Sequence, residues 1–307
     1  MASKSQVKWG GQWSIKKLES VEKYLKAFLY AMKNNAVRYG WRLLYIDAFC
    51  GSGSQHIKME HAGETDLEGH EISDFVEGSA MRALSVTEQL ESVGTKGFES
   101  FEFIDVDEDA LDALRGRIKA EYPGLLRRCN FRHGDSNVLV PEILESCDWR
   151  SARGVIFIDP FRANFNRSLL EKVAETESLD VWFLFPLSAI GRMMAREAGK
   201  ISESWRRKLD DFYGTHEWYE TLYTEKEQPT LFDTVDSVST RAEGYDDLLL
   251  FTTKWLQVIF GEDNVLGPLQ LDANGSPLFA LFAAVSSKNP KAIKLWKRIA
   301  GHILGKA

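Results

Sequence analysis

The sequence predicts an α/β fold: a mostly parallel sheet with helices on both faces, a C-terminal antiparallel hairpin and a helical insertion. Three observations predict it. Strand-like runs recur at WRLLYID (41–47), FEFID (101–105), NFRHGD (130–135), GVIFIDPF (154–161) and LDVWFLFP (179–186), alternating with stretches of helical period. The first run leads into a loop with two glycines one residue apart, AFCGSG. The alternation stops after Pro186, and two apolar runs, GPLQL and PLFALFAAVSS, later flank the turn residues DANGS.

Each element has a local reason. Residues 14–35 carry Ile15, Leu18, Val21, Leu25, Phe28, Leu29 and Met32 on one stripe, with Ser14 as the expected N-cap. Residues 55–77 are polar, rich in His and acids, and too long for a routine connection. Helical period resumes with SAMRALSVTEQL from Ser79, then in DEDALDALRGRIKAE, stopped by Pro123, in VLVPEILESC and in SLLEKVAET. Residues 188–262, rich in aromatics and charge, read as mostly helical. Asn289-Pro290 places a cap and a first-turn proline before the last helix, PKAIKLWKRIAG. The expected organisation is an N-terminal helix and α/β core over 1–186, a helical insertion or lid over 187–263, and a hairpin and helix over 264–307 that complete the core.

Composition narrows the function classes. The 307 residues are 44% hydrophobic and 27% charged, an ordinary globular balance. No apolar run approaches the roughly 20 residues that span a bilayer, and MASKSQVKWGGQW lacks the apolar core of a signal peptide, so a cytoplasmic location without membrane attachment is expected. Cys50, Cys129 and Cys147 form neither a disulfide framework nor a zinc pattern. A net charge of −7 argues against bulk coating of nucleic acid, though Arg127-Arg128, Arg192 to Arg196 and Arg206-Arg207-Lys208 offer local basic patches.

The glycine loop selects the cofactor class. A dinucleotide fingerprint needs a third glycine where His56 stands, and no G-x-x-x-x-G-K-[ST] follows. The next helix is displaced by 55–77, so no helix N-terminus is expected beside a pyrophosphate. An adenine nucleoside without phosphates fits better, and S-adenosyl-L-methionine (SAM) is the candidate. Acids at strand ends, where open α/β sheets bind ligands, support it. Asp105 is placed for the ribose hydroxyls, with Val106 beside it. Asp135 is placed for the adenine amino group, with Ser136 as a backbone donor. Asp47, Phe49, Gly51, Ser52 and Gly53 surround the methionine moiety, and Asp159 stands beside the methyl.

This series resembles the Rossmann-like class I SAM-dependent methyltransferase sheet: D-A-F-C-G-S-G resembles its first motif, and D-P-F resembles the [DNS]-P-P-[YFW] motif of amino-methylating nucleic-acid enzymes. From Trp13 to Ile299 the chain also resembles the three-Cys-motif partner protein (TcmP) family, in WSIKKLESVEKYLKAF, LLYIDAFCGSG, EGSAMRAL, FEFIDVDEDAL, VIFIDPF, DVWFLFP and SPLFALFAAVSSKNPKAIKLWKRI. The resemblance implies SAM as cofactor and a three-Cys-motif protein as partner. The expected catalytic set is Asp159, Pro160 and Phe161, acting on an amine of a nucleobase in DNA or RNA, with Arg162 and Lys17 at the substrate. Phe161 stands where the motif has its second proline, and Arg162 where it has the aromatic. A non-catalytic or partner-dependent adaptor is the alternative.

Plainer readings stand beside these. Asp105 or Asp107 can cap the helix of DEDAL, Asp135 can sit in a solvated turn, and Asp159 can be a turn residue before Pro160. Cys50 reads as a small buried residue. His56, His61 and His70 among acids read as a solvated loop, with no metal expected. Arg192, Arg196, Arg206 and Arg207, balanced by Glu197, Glu203, Asp210 and Asp211, read either as a nucleic-acid groove or as a salt-bridged helix surface. Trp13 and Lys17 either pack over the SAM loop or dock the first helix.

Overall fold

The central sheet consists of β1 (Arg42–Asp47), β2 (Ser100–Asp105), β3 (Cys129–His133), β4 (Ala152–Ile158), β5 (Leu179–Phe185), β6 (Val265–Ala273) and β7 (Ser276–Val285). The structure is a computed structural model that describes residues 9–10, 12–57, 74–161, 163–229, 235–241, 244–273 and 275–306. The strand order is β6-β7-β5-β4-β1-β2-β3. β1 to β5 run parallel, and β7 pairs antiparallel with both β5 and β6. The chain therefore starts in the middle at β1, winds out to β3, returns to β4 on the other flank of β1, and closes with the expected hairpin. Such a reversal opens a crevice beyond the carboxyl ends of the two strands where winding starts, here β1 and β4.

Side-chain alternation explains why both faces are covered. Tyr45, Val155, Phe157, Trp182, Leu184 and Leu281 bury one face under α1 (Gln12–Tyr39), α2 (Ser79–Ser92), α3 (Glu108–Glu121) and α10 (Pro290–Leu304). Ile46, Ile156, Ile158, Val181, Phe183 and Phe282 bury the other under α4 (Ser136–Ser146), α5 (Arg167–Glu175), α6 (Leu187–Met193), α7 (Glu203–Tyr213), α8 (Glu217–Leu222) and α9 (Asp246–Phe260). A period of two with both sets apolar needs a helical layer on each side.

Three expectations are corrected. Ser14 is not the N-cap of α1: the helix already includes Gln12, and Ser14 is fully buried inside it, on the face that carries Leu18 and Val21. Residues 188–262 are not mostly helical throughout, because Tyr223–Pro229 and Val235–Arg241 pair as an antiparallel ribbon. The 55–77 stretch, expected as a solvated loop, carries strands at its two described ends. Ser54–Ile57 pairs with Asp74–Glu77, and Trp9–Gly10 adds a parallel third strand. This pairing returns the chain to its start, and the Gly78 N–H donates to the Gly53 carbonyl at 2.8 Å. The helix displaced in sequence thus begins beside the glycine loop in space. His61 and His70 lie outside the described residues.

α1 runs down the sheet and is fixed to it at two levels. Near its start Lys17 meets Asp159 at 2.7 Å, and two turns later Tyr24 donates to Asp180 at 2.5 Å, at the opposite end of the strands. Burial pushes the Asp180 carboxyl up to about 7, and the Tyr24 hydrogen bond works against that rise. Tyr24→Phe removes the donor, and a buried acceptor left unpaired costs about 1–3 kcal/mol. Urea titrations are expected to show a larger loss at pH 8.5, where Asp180 is ionised, than at pH 5.5. An equal loss at both pH values contradicts this.

Candidate functional site

The crevice is built from the ends of β1, β2 and β4. Asp47 ends β1 with no exposed surface. The Tyr45 hydroxyl donates to its Oδ2 at 3.2 Å, while Oδ1 has no hydrogen-bond partner among the described residues. Burial pushes the Asp47 carboxyl up to about 7; the Ser79 and Tyr45 hydroxyls and the Phe49 N–H work against burial, and the nearby charge of Asp159 works with it. A buried carboxyl with a free oxygen beside a glycine loop is a polar group awaiting a partner.

After Asp47 the chain crosses two neighbours. Ala48 N–H donates to the Phe157 carbonyl of β4 and Cys50 N–H to the Ile104 carbonyl of β2, each at 3.0 Å. Gly51 N–H then reaches Asp105 Oδ2 at 2.8 Å, and Asp105 Oδ1 accepts from Asp107 N–H at 3.0 Å. Asp105 is therefore spanned by two backbone donors and keeps one lone pair on each oxygen for a ligand. The cap of α3 is Asp107, which accepts from Ala110 N–H at 3.2 Å.

The two glycines do different work. Both have left-handed backbones, with φ of +59° at Gly51 and +73° at Gly53. A Cβ on Gly51 would stand in open space, whereas on Gly53 it would lie 2.6 Å from Leu114 Cδ1 and 3.1 Å from Met81 Cγ. Gly51 stands beside open space, and Gly53 admits α2 and α3 to the loop. The Gly53 carbonyl also accepts from Arg117 Nη1 at 2.6 Å. Cys50 is buried.

Asp135 caps α4, accepting from the Asn137 N–H and its Nδ2 through Oδ1 at 2.9 and 3.0 Å. Its other oxygen has no such duty. The buried Ser136 hydroxyl donates to the Ala48 carbonyl and ties α4 to the loop. Phe49 and Ser52 are half-buried in the loop, and Val106 is exposed at the end of β2, its carbonyl 3.2 Å from His133 Nε2.

On the far side of the crevice, Asp159 follows β4, Pro160 is buried, and the Phe161 ring is 56% exposed. Arg162 lies outside the described residues. Lys17, expected at the substrate, has 1% of its surface exposed, and its ammonium sits 2.7 Å from Asp159 Oδ2. The Trp13 and Phe157 rings lie 5.5 and 5.9 Å from the same Nζ, and Trp13 stacks on Phe279 at 4.6 Å. The Lys17–Asp159 pair is the feature that sequence reasoning missed. Its signal was present: Lys17 lies four residues before Val21 and seven before Tyr24, on the core-facing stripe of α1. A lysine there requires a counter-charge from the sheet.

Among the described residues no cluster of three or more His, Cys, Asp or Glu is arranged to hold a metal ion. No helix of the described residues is long and apolar enough to cross a membrane.

No protein-family model matches the chain, and no curated protein matches it. Among solved structures, it is similar to Trm1 from Pyrococcus horikoshii in complex with SAM, at 11% identity and a TM-score of 0.40, over 87% of this chain and 55% of that one. It is also similar to the methyltransferase domain of bacterial CtHen1, at 10% identity and a TM-score of 0.35 over 85% and 98% of the two chains. A third is the glycopeptide N-methyltransferase MtfA complexed with sinefungin, at 14% identity and a TM-score of 0.31 over 84% and 85%. This chain spans about half the length of Trm1.

The buried Asp47 generates a pH prediction. Its folded value, about 7, lies above the ordinary 3.8, so the folded state binds more protons and stability falls as pH rises from about 4 through 7. The fall attributable to this group is at most about 4 kcal/mol. Asp47→Asn is expected to flatten that part of a urea-midpoint profile between pH 4.5 and 8; an unchanged slope contradicts the assignment.

Proposed function

We propose that this chain is a SAM-dependent methyltransferase acting on an amine, with a nucleobase in DNA or RNA as the target class. One observation carries the reading. The glycine loop, the free oxygen of Asp47, the spanned carboxylate of Asp105 and the Asp159-Pro160-Phe161 turn all converge on the crevice between β1 and β4. The residues present fit the cofactor. Gly51 stands beside open space, Asp105 retains lone pairs for two ribose hydroxyls, and the uncommitted oxygen of Asp135 with the Ser136 backbone suits the adenine edge. Asp47 Oδ1 suits the methionine ammonium, and Phe49, Ser52, Gly53 and Val106 complete the lining.

SAM, when bound, supplies a methyl group already activated on a sulfonium, so the protein's part is to position the target amine in line with it. Asp159 Oδ1 and the Pro160 carbonyl accept hydrogen bonds from the amine, because Lys17 occupies only Oδ2. The exposed Phe161 ring offers a stacking surface for a base taken out of its stack, and Arg162 is placed by sequence beside it. The departure of Phe161 from the second proline of the motif supports a second reading, a partner-dependent adaptor for a three-Cys-motif protein. A complex that transfers no methyl group to nucleic acid favours it.

Transfer of label from methyl-labelled SAM to a mixed-sequence oligonucleotide tests the first reading. Asp159→Ala is expected to lower transfer by about 100-fold; because it also leaves Lys17 buried without its counter-charge, Lys17→Met/Asp159→Ala, which removes both charges, is expected to show the same loss while its SAM affinity changes by less than about threefold. Transfer at the wild-type rate by Asp159→Ala overturns the role given to the turn.

A further inference from the structure

The charge of this acidic chain is unevenly distributed. Residues 273–307 contain six Lys and Arg and no Asp or Glu, although the whole chain carries −7. Most of that charge lies on α10. Lys291, Lys294, Arg298 and His302 are all exposed, and helical geometry places them within an arc of about 80° along about 16 Å of the helix. Their neighbours Lys288 and Lys297 pair with Glu177 and Asp263. Lys291, Lys294 and Arg298 have no ion-pair partner among the described residues.

Three of the arginines singled out in the sequence at 192–208 are engaged. Arg207 meets Glu203 at 3.7 Å, the Arg206 guanidinium lies 4.3 Å from the Tyr219 ring centre, and Arg196 also has a partner. Arg192 on α6 and Lys208 on α7 are also exposed without an ion-pair partner among the described residues, one on each helix, whereas α10 carries its basic positions in a single row.

We propose that the Lys291–Lys294–Arg298–His302 stripe binds the phosphate backbone of a nucleic acid. Three partnerless cations in a straight row, continued by the His302 ring as a hydrogen-bonding group, match a linear polyanion, whose phosphates are neutralised one by one with release of counterions. An anionic membrane fits less well. Trp296, Ala300 and Leu304 are buried, and Ile293, Ile299 and Ile303 pack against the same core, so Leu295, half-buried beside the stripe, is the one large apolar side chain of α10 outside that core, too little to insert among lipids. β7 ends opposite the start of β5, at Val285 and Asp180, so α10 begins at the end of the sheet remote from the crevice. This proposal rests on the methyltransferase reading only for the identity of the target base; the surface and its charge are independent of it.

Fluorescence anisotropy with labelled 20-nucleotide single-stranded RNA, single-stranded DNA and duplex DNA, from 50 to 200 mM KCl, tests the stripe on the full chain. The wild type is expected to bind at least one of them, with affinity falling as salt rises. Lys291→Gln/Lys294→Gln/Arg298→Gln is expected to weaken binding at least about tenfold at 50 mM and to reduce the log–log salt slope by about 2–3. Its SAM affinity is expected to be unchanged. Lys291→Glu is a second variant: it puts an acid in the first turn of α10, which favours the helix dipole, so weaker binding with an undiminished Tm cannot be ascribed to unfolding. Equal binding by wild type and triple variant, no binding by the wild type at 50 mM KCl, or binding only to phosphatidylserine vesicles overturns the proposal. A chain that binds oligonucleotide through the stripe but fails to bind SAM leaves this inference standing and removes the cofactor reading.

Discussion

The ion pair of the buried Lys17 with the half-buried Asp159 is the interaction on which the arrangement depends. Lys17 comes from the first helix and Asp159 from the turn after β4, 142 positions later, and they meet at 2.7 Å over the crevice. A lysine with 1% exposure pays heavily for lost hydration, and only a close carboxylate offsets that loss. Removing the carboxylate of such a pair costs up to about 3–5 kcal/mol, because the dry ammonium loses its counter-charge, whereas Asp159 keeps 22% of its side chain in contact with solvent. The pair therefore fixes where α1 lies on the sheet and which way the Asp159 carboxylate faces. Trp13 stacks on Phe279 beside it, so the hairpin strand β7 is drawn to the same corner.

A second set of constraints shapes the other half of the crevice. The glycine loop is held by strand ends on two sides, through Ala48 to β4 and Cys50 to β2, and by Asp105 through Gly51. Gly53 lets α2 and α3 come close, and its carbonyl receives Gly78 at the start of α2. The result is a loop with little freedom and one open side. Preorganisation of this kind lowers the ordering that a ligand would otherwise have to impose. Asp47 is the exception: its burial and free Oδ1 are costs to folding that a ligand ammonium would relieve.

Much of this was legible in the sequence, for identifiable reasons. The strands at 42–47, 152–158 and 179–185 are nearly continuous apolar runs, and only a sheet covered on both faces uses them. Asn289-Pro290 marked the start of α10, and Asn289 does cap it, accepting from Lys291 N–H at 2.9 Å. What escaped was long-range. Nothing local in VDSVSTR announces a ribbon strand paired with YTEKEQP, since neither run has an apolar face to betray it. The return of residues 74–77 to the glycine loop depends on pairing across a stretch without periodicity. The role of Asp105 also needed three dimensions, because its backbone donors come from Gly51 and Asp107 on separate segments. The partner of Lys17 could be required from the helical stripe, but not named.

The central claim is that the crevice between β1 and β4 holds SAM. Calorimetric titration of S-adenosylhomocysteine into the full chain tests it most directly. The account predicts one site with a Kd in the micromolar range, about −8 kcal/mol, weakened at least about tenfold by Asp105→Ala, which removes both ribose acceptors. Absence of binding up to high micromolar ligand, or binding unaffected by Asp105→Ala, would contradict it.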